Sequence, residues 1–207
     1  MATTRREREP HNFLDRLQEI GMFFQKRSPQ HQALRRLARR LKKAGIPYAL
    51  MGAMAVNAHG AERTTKDVDV LLTPEGLERF RREFVGEAYE QVPGRPRRFL
   101  ERQSGVAVDC LVTGRYPGSG KPGPFAFPDP TEASQEIDKV RVLTLPQLIQ
   151  LKLAARRHSD FGDVVFLIQT HNLDESFLQQ LHPSVHQDFM ECLEEKRRED
   201  EYIAREG

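Results

Sequence analysis

The chain has little sulfur, little net charge and no long apolar run, and each shortage narrows what it can be. Two cysteines, Cys110 and Cys192, are all that 207 residues contain. They stand far apart, one in an apolar run and one in a charged segment, so neither a zinc-ligand spacing nor a disulfide framework follows. A reducing, cytoplasmic setting is the expectation. No apolar stretch approaches the ~20 residues that span a bilayer, and no membrane partner is expected. Residues 1–10 are charged and lack an apolar centre, unlike a secretory signal. The 32 basic and 30 acidic residues leave a formal charge of only +2. Global polyanion binding does not follow from that, although local basic clusters can still act. No internal repeat is evident.

What is present is an ordinary globular composition, 38% hydrophobic and 30% charged, in a chain long enough to bury a core without staples. Residues 1–29 read as an arm with a helix over 11–24, packed through Phe13, Leu17, Ile20 and Phe24. Over 30–43, Leu34, Leu37, Ala38 and Leu41 recur at helical spacing, and Gly45 and Pro47 end the run. Arg35, Arg36, Arg39, Arg40, Lys42 and Lys43 cover the rest of that helix, either as a solvated face or as a surface for nucleic-acid phosphates. Strands are expected over 48–51, 68–72, 98–102, 106–112 and 139–143. Helices are expected over 53–59 and 74–84, the second capped by Thr73 with Pro74 in its first turn. Residues 114–130, dense in Gly and Pro, read as a loop. Thr144 is expected to cap a helix reaching 157 and Ser159 another reaching about 170, with helix again from 173 onward. The fold class is therefore α/β (α+β), a sheet layer over 30–143 followed by a helical C-terminal layer over 144–207.

The chemistry is concentrated in residues 50–72. Asp67 and Asp69 are two apart on a strand, so both point to one face while Val68 and Val70 point to the other. Adjacent carboxylates repel and raise each other's pKa. Magnesium relieves that repulsion and keeps room for water and phosphates, although a solvated strand end also carries such a pair. Gly52 separates a strand from a short helix, where backbone N–H groups favour a phosphate or simply make a tight turn. Arg63, Thr64, Thr65 and Lys66 lead into Asp67 as cationic and hydroxyl donors or as a plain polar loop. Asp109 is the one charge in an apolar strand, 105–112. A charge there needs a metal or a buried cation, or a place at the sheet rim.

Together, the glycine turn, Asp67-x-Asp69 and a third strand aspartate resemble the nucleotidyltransferase superfamily related to DNA polymerase beta. More narrowly, Gly52-Ala53-x-Ala55, His59-Gly60 and Arg63-x-Thr65-x-Asp67-x-Asp69 resemble AbiEii/AbiGii-type toxins and minimal nucleotidyltransferases. Leu151-Lys152 and Arg157-His-Ser-Asp160-Phe-Gly-Asp163 are similar to a later run in those proteins. The resemblance covers residues 46–168. It implies a small mixed sheet flanked by helices, with Asp67, Asp69 and Asp109 holding two magnesium ions around an NTP. It further implies that Gly52 and Ala53 cradle phosphates, with Arg63, Thr65, Lys66, Lys152 and Asp163 at the nucleotide. Transfer of an NMP to a hydroxyl of RNA (tRNA) or protein would follow, in a toxin with a possible antitoxin. A small-molecule transferase acting on an antibiotic, or a non-catalytic nucleotide-binding module, are the alternatives. One departure stands out: Ala53 sits where the family usually has Gly or Ser, a hydroxyl short for the triphosphate. For Lys152 a cation snorkelling off an apolar helix remains open. Asp160 and Asp163 are also explained by acids in a first helical turn, and His59 reads as a helix-end residue.

Overall fold

The computed structural model describes Met22 and residues 27–206. The helix expected over 11–24 lies outside the described residues except at Met22. Helix α1, Pro29–Ala44, starts where the Ser28 hydroxyl accepts the His31 N–H, and it ends at Gly45, whose left-handed backbone returns its N–H to Leu41 and Lys42. Ala33, Leu34, Leu37, Ala38 and Leu41 form its buried stripe. The arginines on its flank are not all a free basic face. Arg36 donates Nε and Nη2 to the two carboxylate oxygens of Glu101, at 2.7 and 2.6 Å, and Arg40 stands 3.6 Å from the same group. Burial alone would push Glu101 up, but hydrogen bonds from Arg36 and Ser104 and the charges of Arg36 and Arg40 hold it below the usual carboxylate range.

Seven strands form one mixed sheet. They are β1 Tyr48–Met51, β2 Asp67–Leu72, β3 Tyr89–Gln91, β4 Arg98–Glu101, β5 Ala107–Val112, β6 Ser134–Ile137 and β7 Val140–Leu143, in the order β3-β4-β5-β2-β1-β7-β6. β2 runs parallel to β5 and antiparallel to β1. Two strands escape the sequence reading for identifiable reasons. β3 is three residues long, too short to show a period. β6 pairs with β7 through a two-residue turn at Asp138 and Lys139, both at positive φ (50° and 66°). That is the backbone of a type I′ hairpin, without the Asn-Gly signal that announces one.

Cross-strand partners share a face, so the register sorts the sheet into two sides. Phe99 opposes Val108, and Val108 opposes Val68. This side meets α1 and α3 (Pro74–Phe84), where Phe80 packs 5.0 Å from both Tyr89 and Phe99. The other side carries Asp67, Asp69, Asp109 and Arg98. Toward it lie α2 (Gly52–Ala58), α4 (Leu145–Ala155) and α5 (His158–His171). The basic helix α1 therefore lies on the side of the sheet away from the carboxylates.

The C-terminal layer departs from expectation in its boundaries. Thr144 occupies the cap position of α4 without a side-chain bond, and the cap of α5 is Arg157 rather than Ser159. Arg156, at φ 54°, reverses the chain between the two helices. Asp160 lies in the first turn of α5, but Asp163 lies beyond it. After Asn172 the chain is not continuously helical. Glu175–Gln180 and Pro183–Val185 are 3₁₀ turns, and only His186–Glu206 forms a long helix, α6. Pro183 and the short capping segments around it break the run. One apolar cluster, from Ala33 to Leu193, joins α1, the sheet and the C-terminal helices. No helix among the described residues is long and apolar enough to cross a membrane.

Candidate active site

The parallel pairing of β2 and β5 sets Asp69 directly opposite Asp109, with Asp67 two residues before Asp69 on the same face. On the other side of β2, Met51 opposes Asp69, so the turn that follows β1 arrives at the carboxylates. That turn is Gly52. Its φ is 64°, and a β-carbon there would lie 2.0 Å from Oδ2 of Asp69 and 2.8 Å from Cγ. Only glycine lets the backbone pass this close.

The charges are not balanced within the cluster. Burial, then the carboxylates of Asp67 and Asp109, push Asp69 up to about 7, against the opposing pull of Lys152 and Arg157. Asp109 is also raised, by burial and then by Asp67, with Arg98 and Arg95 opposing. The charge on Asp109 is met by a cation of the chain itself. Arg98 Nη1 donates to Asp109 Oδ2, and its Nη2 lies 3.6 Å from Asp67 Oδ2. Thr65 Oγ1 donates to Asp67 Oδ1 at 2.9 Å. Among the described residues no three His, Cys, Asp or Glu side chains converge as a ready-made metal cage. The donor set itself is three acid side chains on one sheet face, oxygen ligands whose mutual repulsion a hard divalent cation would relieve.

Behind this row lies a second charge cluster. Lys152 is 6% exposed, and its Nζ donates to Asp163 Oδ2 at 2.6 Å and to Asp160 Oδ1 at 3.0 Å. Arg63 donates to the same oxygen of Asp163, and Arg157 Nε stands 2.9 Å from Asp160 Oδ2. Asn57 clamps the Arg63 backbone in both directions, at 2.6 and 2.8 Å. Lys152 is thus buried within a charge network, not snorkelling to solvent.

A cleft of about 820 Å³ opens over Asp69 and Asp109. Gly52 and Lys152 also line it, whereas Asp67, Ala53, Arg63, Thr65, Lys66 and Asp163 are not in its wall. Ala53 is buried behind Gly52, and Lys66 is exposed on the approach to β2. His59 is buried, with Nε2 2.8 Å from the Leu143 carbonyl oxygen, and burial lowers its pKa. Several cleft residues were not singled out by sequence: Arg95, Arg98, Arg115 and Tyr116. A signal existed for Arg98, which alternates with buried Phe99 on a strand beside the Asp109 strand. The Gly- and Pro-rich loop forms another wall. At Gly118 (φ 66°) it presses so close to α4 that a β-carbon would meet the Ala155 carbonyl oxygen at 2.9 Å.

No protein-family model and no curated protein matches the chain. Solved structures are similar to it in part. One, from Thermotoga maritima and described as a "putative nucleotidyltransferase", shares 20% identity over 59% of this chain and 81% of its own, with a TM-score of 0.43. Another so described, from H. pylori, shares 14% identity over 81% and 77%, with a TM-score of 0.46. An antigenic nucleotidyltransferase-like protein from Paracoccidioides brasiliensis shares 14% identity over 77% and 91%, with a TM-score of 0.43. The chain is similar, over more than half of its length in each case, to structures named for nucleotidyl transfer.

Proposed function

We propose that the cleft transfers a nucleoside monophosphate from an NTP to a hydroxyl of RNA, such as tRNA, or of a protein. Magnesium would be held by Asp67, Asp69 and Asp109. The observation that carries this reading is the set of three carboxylates on adjacent inner strands, with a glycine turn closed against the middle one. Bound there, magnesium would neutralise charge at the attacking and leaving oxygens of an in-line displacement.

The chain's own groups have separable tasks. The backbone N–H groups of Gly52 and Ala53 would take the β- and γ-phosphates at the turn beside Asp69. Asp109, raised by burial and by Asp67, is suited to accept the proton of the attacking hydroxyl. That hydroxyl forms its bond at the α-phosphorus as the bond to the pyrophosphate oxygen breaks. Arg95, Arg115 and Arg157 line the cleft and would balance the charge of polyphosphate and acceptor. Lys152, Asp160, Asp163 and Arg63 hold α4, α5 and the approach to β2 in register around it. The AbiEii-type resemblance adds the role of a toxin restrained by an antitoxin. So many arginines around the opening disfavour a cationic antibiotic as acceptor.

The test is incubation with magnesium, each α-labelled NTP in turn, and total RNA, with RNA and protein then resolved separately. Label on RNA or protein that is lost in Asp67→Ala/Asp69→Ala is the expected result. Absence of label with all four nucleotides, on either class of acceptor, would refute the proposal.

A further inference from the structure

Arg98 holds a position in the cleft that the proposed chemistry does not use. β4 runs antiparallel to β5, with Arg98 directly opposite Asp109, so the side chain reaches over the carboxylates on the sheet face. It donates to Asp109 Oδ2 and stands 3.6 Å from Asp67 Oδ2, touching two of the three acids. Its side chain is 29% exposed and forms part of the cleft wall. It is therefore not locked inside the protein, and open space lies beside it. Next to it in sequence, Arg95 and Arg97 are exposed and make no ion pair among the described residues.

We infer that Arg98 is an internal counter-cation that occupies the cation position between Asp67 and Asp109 and exchanges with a divalent metal ion when one binds. This rests on the metal reading of the carboxylate cluster given above. The physical reason is competition for the same oxygens. Asp109 Oδ2 already accepts a charge-assisted hydrogen bond, and a divalent ion ligated there would stand within a few ångströms of the guanidinium. Two cations that close repel strongly in a half-buried site, so one must leave. A flexible arginine stem on an open cleft can swing aside, whereas the aspartates on the inner strands cannot. The metal-free protein is thereby spared three uncompensated carboxylates. The metal affinity is lowered in proportion to what the guanidinium contributes. A lysine at this position could contact one carboxylate but could not bridge two, because its charge sits on one atom.

The test uses Mn²⁺ as the probe, followed by electron paramagnetic resonance, in the full chain without nucleotide. The proteins are wild type, Arg98→Met, Arg98→Lys and Asp67→Asn/Asp69→Asn, with thermal melts in EDTA and in MgCl₂. Arg98→Met is expected to bind Mn²⁺ about tenfold more tightly than wild type and to melt lower in EDTA, with most of the gap closed by Mg²⁺. Arg98→Lys should fall between the two, and it carries the test if the methionine variant does not fold. Equal or weaker Mn²⁺ binding in the Arg98 variants, lost in the double asparagine variant, overturns the exchange and leaves the metal reading standing. No Mn²⁺ binding in wild type or in any Arg98 variant overturns both.

Discussion

A β-carbon on Gly52 would stand 2.0 Å from Oδ2 of Asp69. The turn after β1 and the central carboxylate are thus fitted to each other, and neither can change without the other moving. Gly52→Ala is expected to cost about 2–4 kcal/mol, combining a left-handed backbone with a steric clash, and to displace Asp69. Gly45→Ala is the comparison. Its φ is 61°, but nothing lies within 4 Å of the added carbon, so it should cost only the backbone strain, about 1 kcal/mol. Chemical denaturation separates the two. Equal losses would mean that the contact with Asp69 is without consequence.

Asp69 makes stability depend on pH in a definite direction. Its folded value of about 7 lies above the ordinary 3.8. Below the lower value both folded and unfolded chains hold the proton, and Asp69 contributes nothing. Between the two values the unfolded chain has released it and the folded chain has not, so stability falls as pH rises through this window and levels off above about 7. Asp69→Asn should therefore lie close to wild type at pH 4 in EDTA and melt clearly higher at pH 8, by about 2–4 °C for each ~1 kcal/mol removed. A melting difference that does not grow between pH 4 and pH 8 would contradict the crowding of this partly buried acid by its neighbours.

Lys152 compensates two acids that are 6% and 4% exposed, Asp160 and Asp163. Lys152→Met should destabilise the protein by about 3–5 kcal/mol, because it leaves buried carboxylates without their shared cation. The triple variant Lys152→Met/Asp160→Asn/Asp163→Asn should recover much of that loss. Urea denaturation of the set measures it. A triple variant no more stable than Lys152→Met would show that the lysine acts through packing, not charge.

Much of this was legible in the residues, unevenly. The alternation Asp67-Val68-Asp69-Val70 fixes which side of β2 faces the core, and the structure bears that out with Val68 and Val70 buried. Thr73-Pro74 and Gly45 mark helix ends by local chemistry that needs no tertiary information. β6 was hidden because its hairpin uses Asp138-Lys139 at positive φ, residues that do not advertise the turn. The cleft arginines were hidden for a different reason. Arg95, Arg98 and Arg115 lie in two separate stretches of chain and become a group only when β4 pairs with β5. The roles of Arg63 and Lys152 likewise depend on Asp163, which is distant in sequence from Arg63 and meets it only when α5 packs over the sheet.

The order β3-β4-β5-β2-β1-β7-β6 puts the acid-bearing strands in the middle, with β3 and β6 at the margins. Fraying begins at margins, where amides have one neighbour instead of two, and reaches inner strands only when the whole molecule opens. The backbone amides of β2 and β5 are thus expected to exchange with deuterium later than those of β3 and β6. The carboxylates ride on inner strands, and so does Arg98, whose strand β4 lies between β3 and β5, whereas Arg95 and Arg115 hang from the connecting segments outside the strands.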